Sequence, residues 1–252
     1  MSKNFELLYQ MGKAQEMLQA DATVPVTQTV LPEAPASTPA LHIEGMAREE
    51  VSKLVHRVFF LPGAEAPRHI VFAGTESGDG CTWMAAHAAE ILASQVSGMV
   101  CVVDCNLVQP SLHLEFDMEN SYGLADALLG EDPIRQYARQ TARGNLWSMS
   151  AGTSTEAAQR VLTSDRMRAR ISQLRADFDY VLMDVAALNV SNQAMVLGGL
   201  SDGVVLVLKA HSARRDSSRE SVQLLQNSNV RVLGAVLNQR TFPIPERLYK
   251  RL

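Results

Sequence analysis

"VFAGTESGDGCTW", residues 71–83, is the stretch on which the fold turns. A short apolar run leads in, a loop holding Gly78 and Gly80 follows, and Thr82 opens an alanine-rich, helix-prone segment. A phosphate cradle needs these parts. Glycines let backbone N–H groups approach an anion, and a helix N-terminus adds its positive end. Thr82 stands where a P-loop places the hydroxyl that ligates magnesium. The plain GxxxxGK[ST] pattern otherwise fails: its first glycine position holds Thr75, and its lysine position holds Cys81. Read alone, the stretch fits a phosphate cradle and a glycine turn between strand and helix equally well.

Six apolar runs read as buried strands: "HIVFA" (69–73), "MVCVVD" (99–104), "NLWSM" (145–149), "YVLMD" (180–184), "GVVLVL" (203–208) and "VLGAVLN" (232–238). Helical patterns separate most of them. Continuously apolar strands alternating with helices predict an α/β fold: a doubly wound, mostly parallel sheet with helices on both faces. In such sheets ligands sit beyond the carboxyl ends of the strands. Asp104 and Asp184 each close an apolar run there, on the same side as the glycine loop. A carboxylate at that position holds a Mg²⁺ ion or one of its waters, and the alternative is a capping aspartate. Two such aspartates downstream of a P-loop-like turn favour the nucleotide site.

The rest of the chain sets limits. A formal charge of -4 and a sequence pI of about 5.9 argue against a nucleic-acid partner. No apolar run approaches the ~18 residues of a membrane span. Cys81, Cys101 and Cys105 lack zinc-type spacing and cannot all pair within the chain, so a reducing, cytoplasmic setting is expected. Cys81, at a helix N-terminus, is read as an inert replacement in preference to a reactive thiol. Arg166, Arg168, Arg170 and Arg175 read as a solvated helix face. Residues 1–19 carry Leu7, Met11, Ala14 and Leu18 at amphipathic helical spacing, a stripe that fits packing on this chain, a partner or a membrane. Residues 20–45 are rich in Ala, Pro, Thr and Val and read as a flexible linker, leaving 46–252 as the P-loop domain.

From about residue 46 onward the sequence resembles the cytoplasmic kinase domain of bacterial protein-tyrosine kinases, the BY-kinases of exopolysaccharide and capsule export. These are P-loop proteins related to the MinD/ParA ATPases. "VVDCNLVQPSLHLEFDMENSYGLADALLGE" (102–131) is similar to the family's second Walker motif and its continuation, and "FDYVLMDVAALN" (178–189) to its Walker B segment. "SDGVVLVLKAHSARRD" and "VLGAVLNQ" match its last two strands, where Asn238 takes the position that reads the base. "EEVSKLVHRVFF" resembles the oligomerisation helix, with Glu50, Lys53 and His56 at its three key places.

The resemblance implies a nucleotide site at Gly78, Asp79, Gly80, Cys81 and Thr82, with Thr82, Asp104 and Asp184 around a metal and the two aspartates in the catalytic positions. It implies Mg-ATP or Mg-ADP as cofactor, homo-oligomerisation, and recruitment to the inner membrane face by a membrane-embedded polysaccharide chain-length regulator (copolymerase). The departures are as specific. Cys81 replaces the phosphate lysine, and Glu76 stands where MinD/ParA relatives carry their signature lysine. The second acid of the Asp104 motif is Asn106, and its arginines are Val108 and Gln109. The tyrosine-rich tail is reduced to Tyr249. A degenerate component with weak or no turnover is therefore expected. The alternatives are an active tyrosine autokinase, with Lys209, Arg214 or Arg215 supplying the missing charge, and a MinD/ParA-type positioning ATPase.

Overall fold

The computed structural model describes residues 41, 45–60, 66–153, 156–162, 164–210 and 215–239. The expected N-terminal helix over 1–19, most of the linker over 20–45, and Tyr249 lie outside the described residues. So does Arg214, and Arg215 is described by its backbone alone.

Each of the six apolar runs is a strand. In chain order the elements are α1 (Gly45–Phe59), β1 (His69–Gly74), α2 (Cys81–Gln95), β2 (Val100–Asp104), α3 (Leu112–Glu115) and α4 (Leu124–Leu129). A 3₁₀ turn (Ile134–Tyr137), β3 (Arg139–Gln140), β4 (Leu146–Met149), α5 (Glu156–Val161), α6 (Asp165–Asp177) and β5 (Tyr180–Val185) follow. α7 (Gln193–Gly199), β6 (Gly203–Lys209), α8 (Arg215–Asn227) and β7 (Val232–Asn238) complete the domain.

The strands form one seven-stranded sheet in the order β3-β4-β2-β5-β1-β6-β7. All neighbours are parallel except β3, which runs antiparallel to β4. Side chains alternate across the sheet, so each strand feeds two cores. Ile70, Phe72, Val100, Val102, Val205 and Val207 face α1 and α2. Val71, Ala73, Cys101, Val103, Leu206 and Met183 face α4, α6 and α7. Burial on both faces explains why the runs of β1, β2, β5 and β6 are apolar almost throughout, whereas the edge strand β7 is only partly buried. Ala85, Ala86, Ala88 and Ala89 of α2 are fully buried, and their small size lets this helix lie close against the sheet. Because β1 sits between β5 and β6, with β2 beyond β5, the loops after β1, β2 and β5 converge at one carboxyl edge.

One expectation is corrected here. The α6 arginines are not a uniformly solvated face, because Arg170 is buried. Its guanidinium donates to the carbonyls of Ala127 (2.8 Å), Gly130 (2.7 Å) and Asp132 (2.7 Å) and to the Gln173 side chain. It thereby caps the C-terminal end of α4, where carbonyls lack helical partners and a cation is favoured. Arg166, Arg168 and Arg175 are exposed as read, although Arg166 also reaches the Leu129 and Gly130 carbonyls. Arg170→Met is expected to destabilise the fold by about 3 kcal/mol in urea unfolding, since it strands buried carbonyls. Arg166→Met is expected to cost under about 1 kcal/mol. Equal effects would contradict this assignment.

Candidate nucleotide site

β1 ends at Gly74, and the chain turns through Thr75–Gly80 into α2. Gly78 and Gly80 have φ of 89° and 79°, a region that disfavours side chains. At Gly80 a Cβ would also collide with the Asn238 amide. Asp79 turns inward. Its carboxylate accepts from the Thr75 N–H, the Thr75 hydroxyl and the Glu76 N–H, each at 2.9 Å. From β7, the Asn238 amide donates to the Asp79 carbonyl (2.9 Å) and the Gly80 carbonyl (3.4 Å), and the Gln239 amide to the Gly78 carbonyl (3.3 Å). The loop is thus tied from within by Asp79 and from the sheet edge by Asn238, whose amide is committed to loop backbone.

The second wall comes from β2 and β5, whose ends are in register, Asp104 opposite Asp184. Asp104 accepts three backbone N–H groups, from Asn106, Ser111 and Leu112, each at 3.0 Å. The Asn106 side chain closes a turn with the Gln109 backbone in both directions, at 3.1 Å each. At the family's second acid position this residue therefore shapes the loop. The Ser111 hydroxyl donates to the Thr82 hydroxyl at 3.0 Å, linking this loop to the start of α2. No sequence signal singled out Ser111. From the loop after β5, the Leu188 N–H donates to the Gly74 carbonyl (2.9 Å) and the Asn189 N–H to the Thr75 carbonyl (3.3 Å).

Asp184 is 1% exposed, and neither of its carboxylate oxygens has a partner in hydrogen-bond geometry. Burial, and next the charge of Asp104, push its carboxyl up to about 7, although the nearby Thr82 hydroxyl and Cys81 thiol partly offset this. Burial pushes Asp104 up to about 6, against its three backbone donors. Burial first, and then the neighbouring Asp184 carboxylate, hold the Cys81 thiol well above the usual range. That favours the inert reading of Cys81, since reactive cysteines need a stabilised thiolate. Cys105 is buried in the core beneath Asp104.

A divalent cation fits these residues. A buried carboxylate without a partner is costly, and a cation beside Asp184, Asp104 and the Thr82 hydroxyl would satisfy it. Among the described residues no three His, Cys, Asp or Glu side chains converge to hold a metal on their own. Water and ligand phosphates would supply the remaining positions, as is usual for Mg²⁺. The structure therefore brings Gly78, Asp79, Gly80, Cys81, Thr82, Asp104, Asp184 and Asn238 to one carboxyl edge. Glu50, Lys53 and His56 lie apart from it, exposed on α1, where Lys53 pairs with Glu50 at 2.7 Å and His56 lies against Phe60.

Both aspartates hold protons in the folded state that the unfolded chain releases at lower pH. The ligand-free protein should therefore lose stability as pH rises from about 4 to about 7. Asp184→Asn is expected to raise stability near pH 7.5 by on the order of 2 kcal/mol and to have little effect near pH 4.5. Chemical denaturation at both pH values measures this. A loss at pH 7.5 would show that Asp184 is not an uncompensated charge.

The family model for the cellulose biosynthesis protein BcsQ matches residues 68–227. The tyrosine-protein kinase YwqD of Bacillus subtilis (strain 168) is 26% identical over 161 residues, which cover 64% of this chain and 68% of YwqD. Among solved structures, the kinase domain of Escherichia coli tyrosine kinase ETK superimposes with a TM-score of 0.70 at 21% identity, covering 79% of each chain. The septum site-determining protein MinD of Pyrococcus horikoshii OT3, complexed with Mg-ADP, does so with a TM-score of 0.58 at 19% identity, covering 73% of this chain and 76% of MinD. These last two are likenesses of fold, and they bear out the doubly wound P-loop architecture read from the strands. With a matched segment that runs from just before β1 to the end of α8, the chain belongs to the cellulose biosynthesis protein BcsQ family, a P-loop family akin to the bacterial tyrosine kinases.

Proposed function

We propose that this protein is a degenerate, BY-kinase-like component of exopolysaccharide biosynthesis and export that works by binding, with weak or no nucleotide turnover. The family's description as a cellulose biosynthesis protein supports the polysaccharide setting. The observation that carries the reading is a site that keeps its frame and lacks its loop cation. The positive-φ glycines, Thr82, Asp104 and Asp184 are assembled, while the residue in the lysine position is an uncharged thiol beside Asp184. Mg²⁺, when bound with a nucleotide, would neutralise part of the phosphate charge. The loop N–H groups would orient the phosphates, and Thr82 and Asp184 would hold the cation.

Losing one charge-assisted contact to phosphate costs about 1.5–3 kcal/mol, or roughly ten- to a hundred-fold in affinity. Phosphoryl transfer depends almost wholly on such contacts, and Asn106, Val108 and Gln109 replace others. The protein would thus act through its surfaces, as a homo-oligomer beneath a membrane-embedded chain-length regulator. Among the described residues no helix is long and apolar enough to cross a membrane, and recruitment to the membrane face by that partner is part of the proposal. A second reading, an active tyrosine autokinase, draws on the likeness to YwqD. A MinD/ParA-type positioning ATPase is disfavoured by Glu76 and Cys81.

Cys81→Lys tests the assignment. Calorimetry with Mg-ADP should show an affinity gain of about ten-fold, and Thr82→Ala should lower it. If both substitutions are silent, the loop is not a phosphate site.

A further inference from the structure

The candidate phosphate loop carries no cation of its own. Among the described residues no Lys or Arg side chain bonds or pairs with the 75–80 loop, Asp104 or Asp184. One cation nevertheless stands at the loop's edge and, among the described residues, has no partner of its own. Lys209 is the last residue of β6, the strand beside β1 on the side away from β5. Gly74, where β1 gives way to the loop, pairs with Val207. Lys209 lies two residues further on, alongside the start of the loop.

Its direction follows from register. In paired parallel strands, partner residues point to the same face of the sheet. Val207 pairs with Val236, and both pack on the α1 and α2 side. Lys209 pairs with Asn238 two residues later, on that same face. The Asn238 side chain demonstrates where this face leads, since its amide reaches the Asp79 and Gly80 carbonyls. Lys209 is one strand nearer to β1 than Asn238, and strands are about 4.8 Å apart. Its backbone is held to the end, because the Ala210 N–H donates to the Asn238 carbonyl at 2.8 Å. The residue is only partly exposed, and among the described residues its ammonium has no hydrogen-bond or ion-pair partner. A flexible four-carbon stem carrying a point charge suits a phosphate approached from the side.

We propose that Lys209 supplies the phosphate-binding cation that the loop itself lacks, reaching the nucleotide's phosphates from β6. This inference rests on the nucleotide reading above and deepens it. The site would keep a single positive contact, moved from the start of α2 to the neighbouring strand. Such a contact can aid binding without standing where the loop lysine stands during transfer, which suits a site that binds more than it turns over.

The test is a double-mutant cycle on the full chain, titrated with Mg-ADP. Lys209→Met should weaken binding about ten-fold with an unchanged unfolding midpoint, and Lys209→Arg should retain most of the affinity. In the Cys81→Lys background, Lys209→Met should have much less effect, because the loop then carries its own cation. Unaltered affinity in Lys209→Met, or losses that simply add in the double variant, would overturn the inference while leaving the nucleotide site standing. Absence of Mg-ADP binding by the unaltered protein, and by Cys81→Lys as well, would overturn the nucleotide reading and this inference with it.

Discussion

Two carboxylates on neighbouring parallel strands, Asp104 opposite Asp184, set the terms for everything at the carboxyl edge. Like charges so placed in a buried setting raise one another's proton affinity, and each must find donors, a proton or a cation. The chain treats the two differently. Three N–H groups of the 106–112 loop converge on Asp104, so this acid organises the loop and the short helix that follows it. Asp184 receives no comparable support. An apolar residue there would be easier to bury, and the fold retains an acid. The pairing of one satisfied and one unsatisfied carboxylate, with the Thr82 hydroxyl beside them, is an arrangement that a cation would complete.

The glycine loop is held just as deliberately. Asp79 satisfies its first two N–H groups from inside, and Asn238 clasps its carbonyls from β7. A loop that had become a mere connector would not need ties from two directions. The departures from the bacterial tyrosine-kinase pattern at this loop are ones of charge. The lysine position carries a thiol beside Asp184, and the second acid has become an asparagine that closes a turn. In the proposed role, those residues lack the charge that stabilises transfer, while the loop backbone would still orient phosphates. This division between a preserved frame and altered charge favours a binding role over a catalytic one.

Much of this architecture was legible in the sequence. Fully buried parallel strands need apolar residues at nearly every position, and such runs are conspicuous; β1, β2, β5 and β6 fall within a residue or so of their expected limits, as does the partly buried edge strand β7. β3 was not legible, since two residues, Arg139 and Gln140, carry no periodicity. Nor was Arg170, because helical spacing could not show that the end of α4 and its open carbonyls would lie beside it. The site residues were found through glycine spacing and strand-end aspartates, which are local signals. Their internal bonding was not, because the inward turn of Asp79, the Ser111–Thr82 contact and the Asn238 clasp join segments far apart in the chain or depend on loop conformation.

In the proposed role the site binds a magnesium–nucleotide complex and turns it over poorly. Binding and turnover measured on one sample of the unaltered full chain with Mg-ATP test it most directly. Saturable binding is expected, with phosphate release and tyrosine phosphorylation no faster than in a variant carrying both Thr82→Ala and Asp104→Ala. Turnover in the ordinary range of kinases, about 1–100 per second, and abolished by Asp104→Ala, would contradict it.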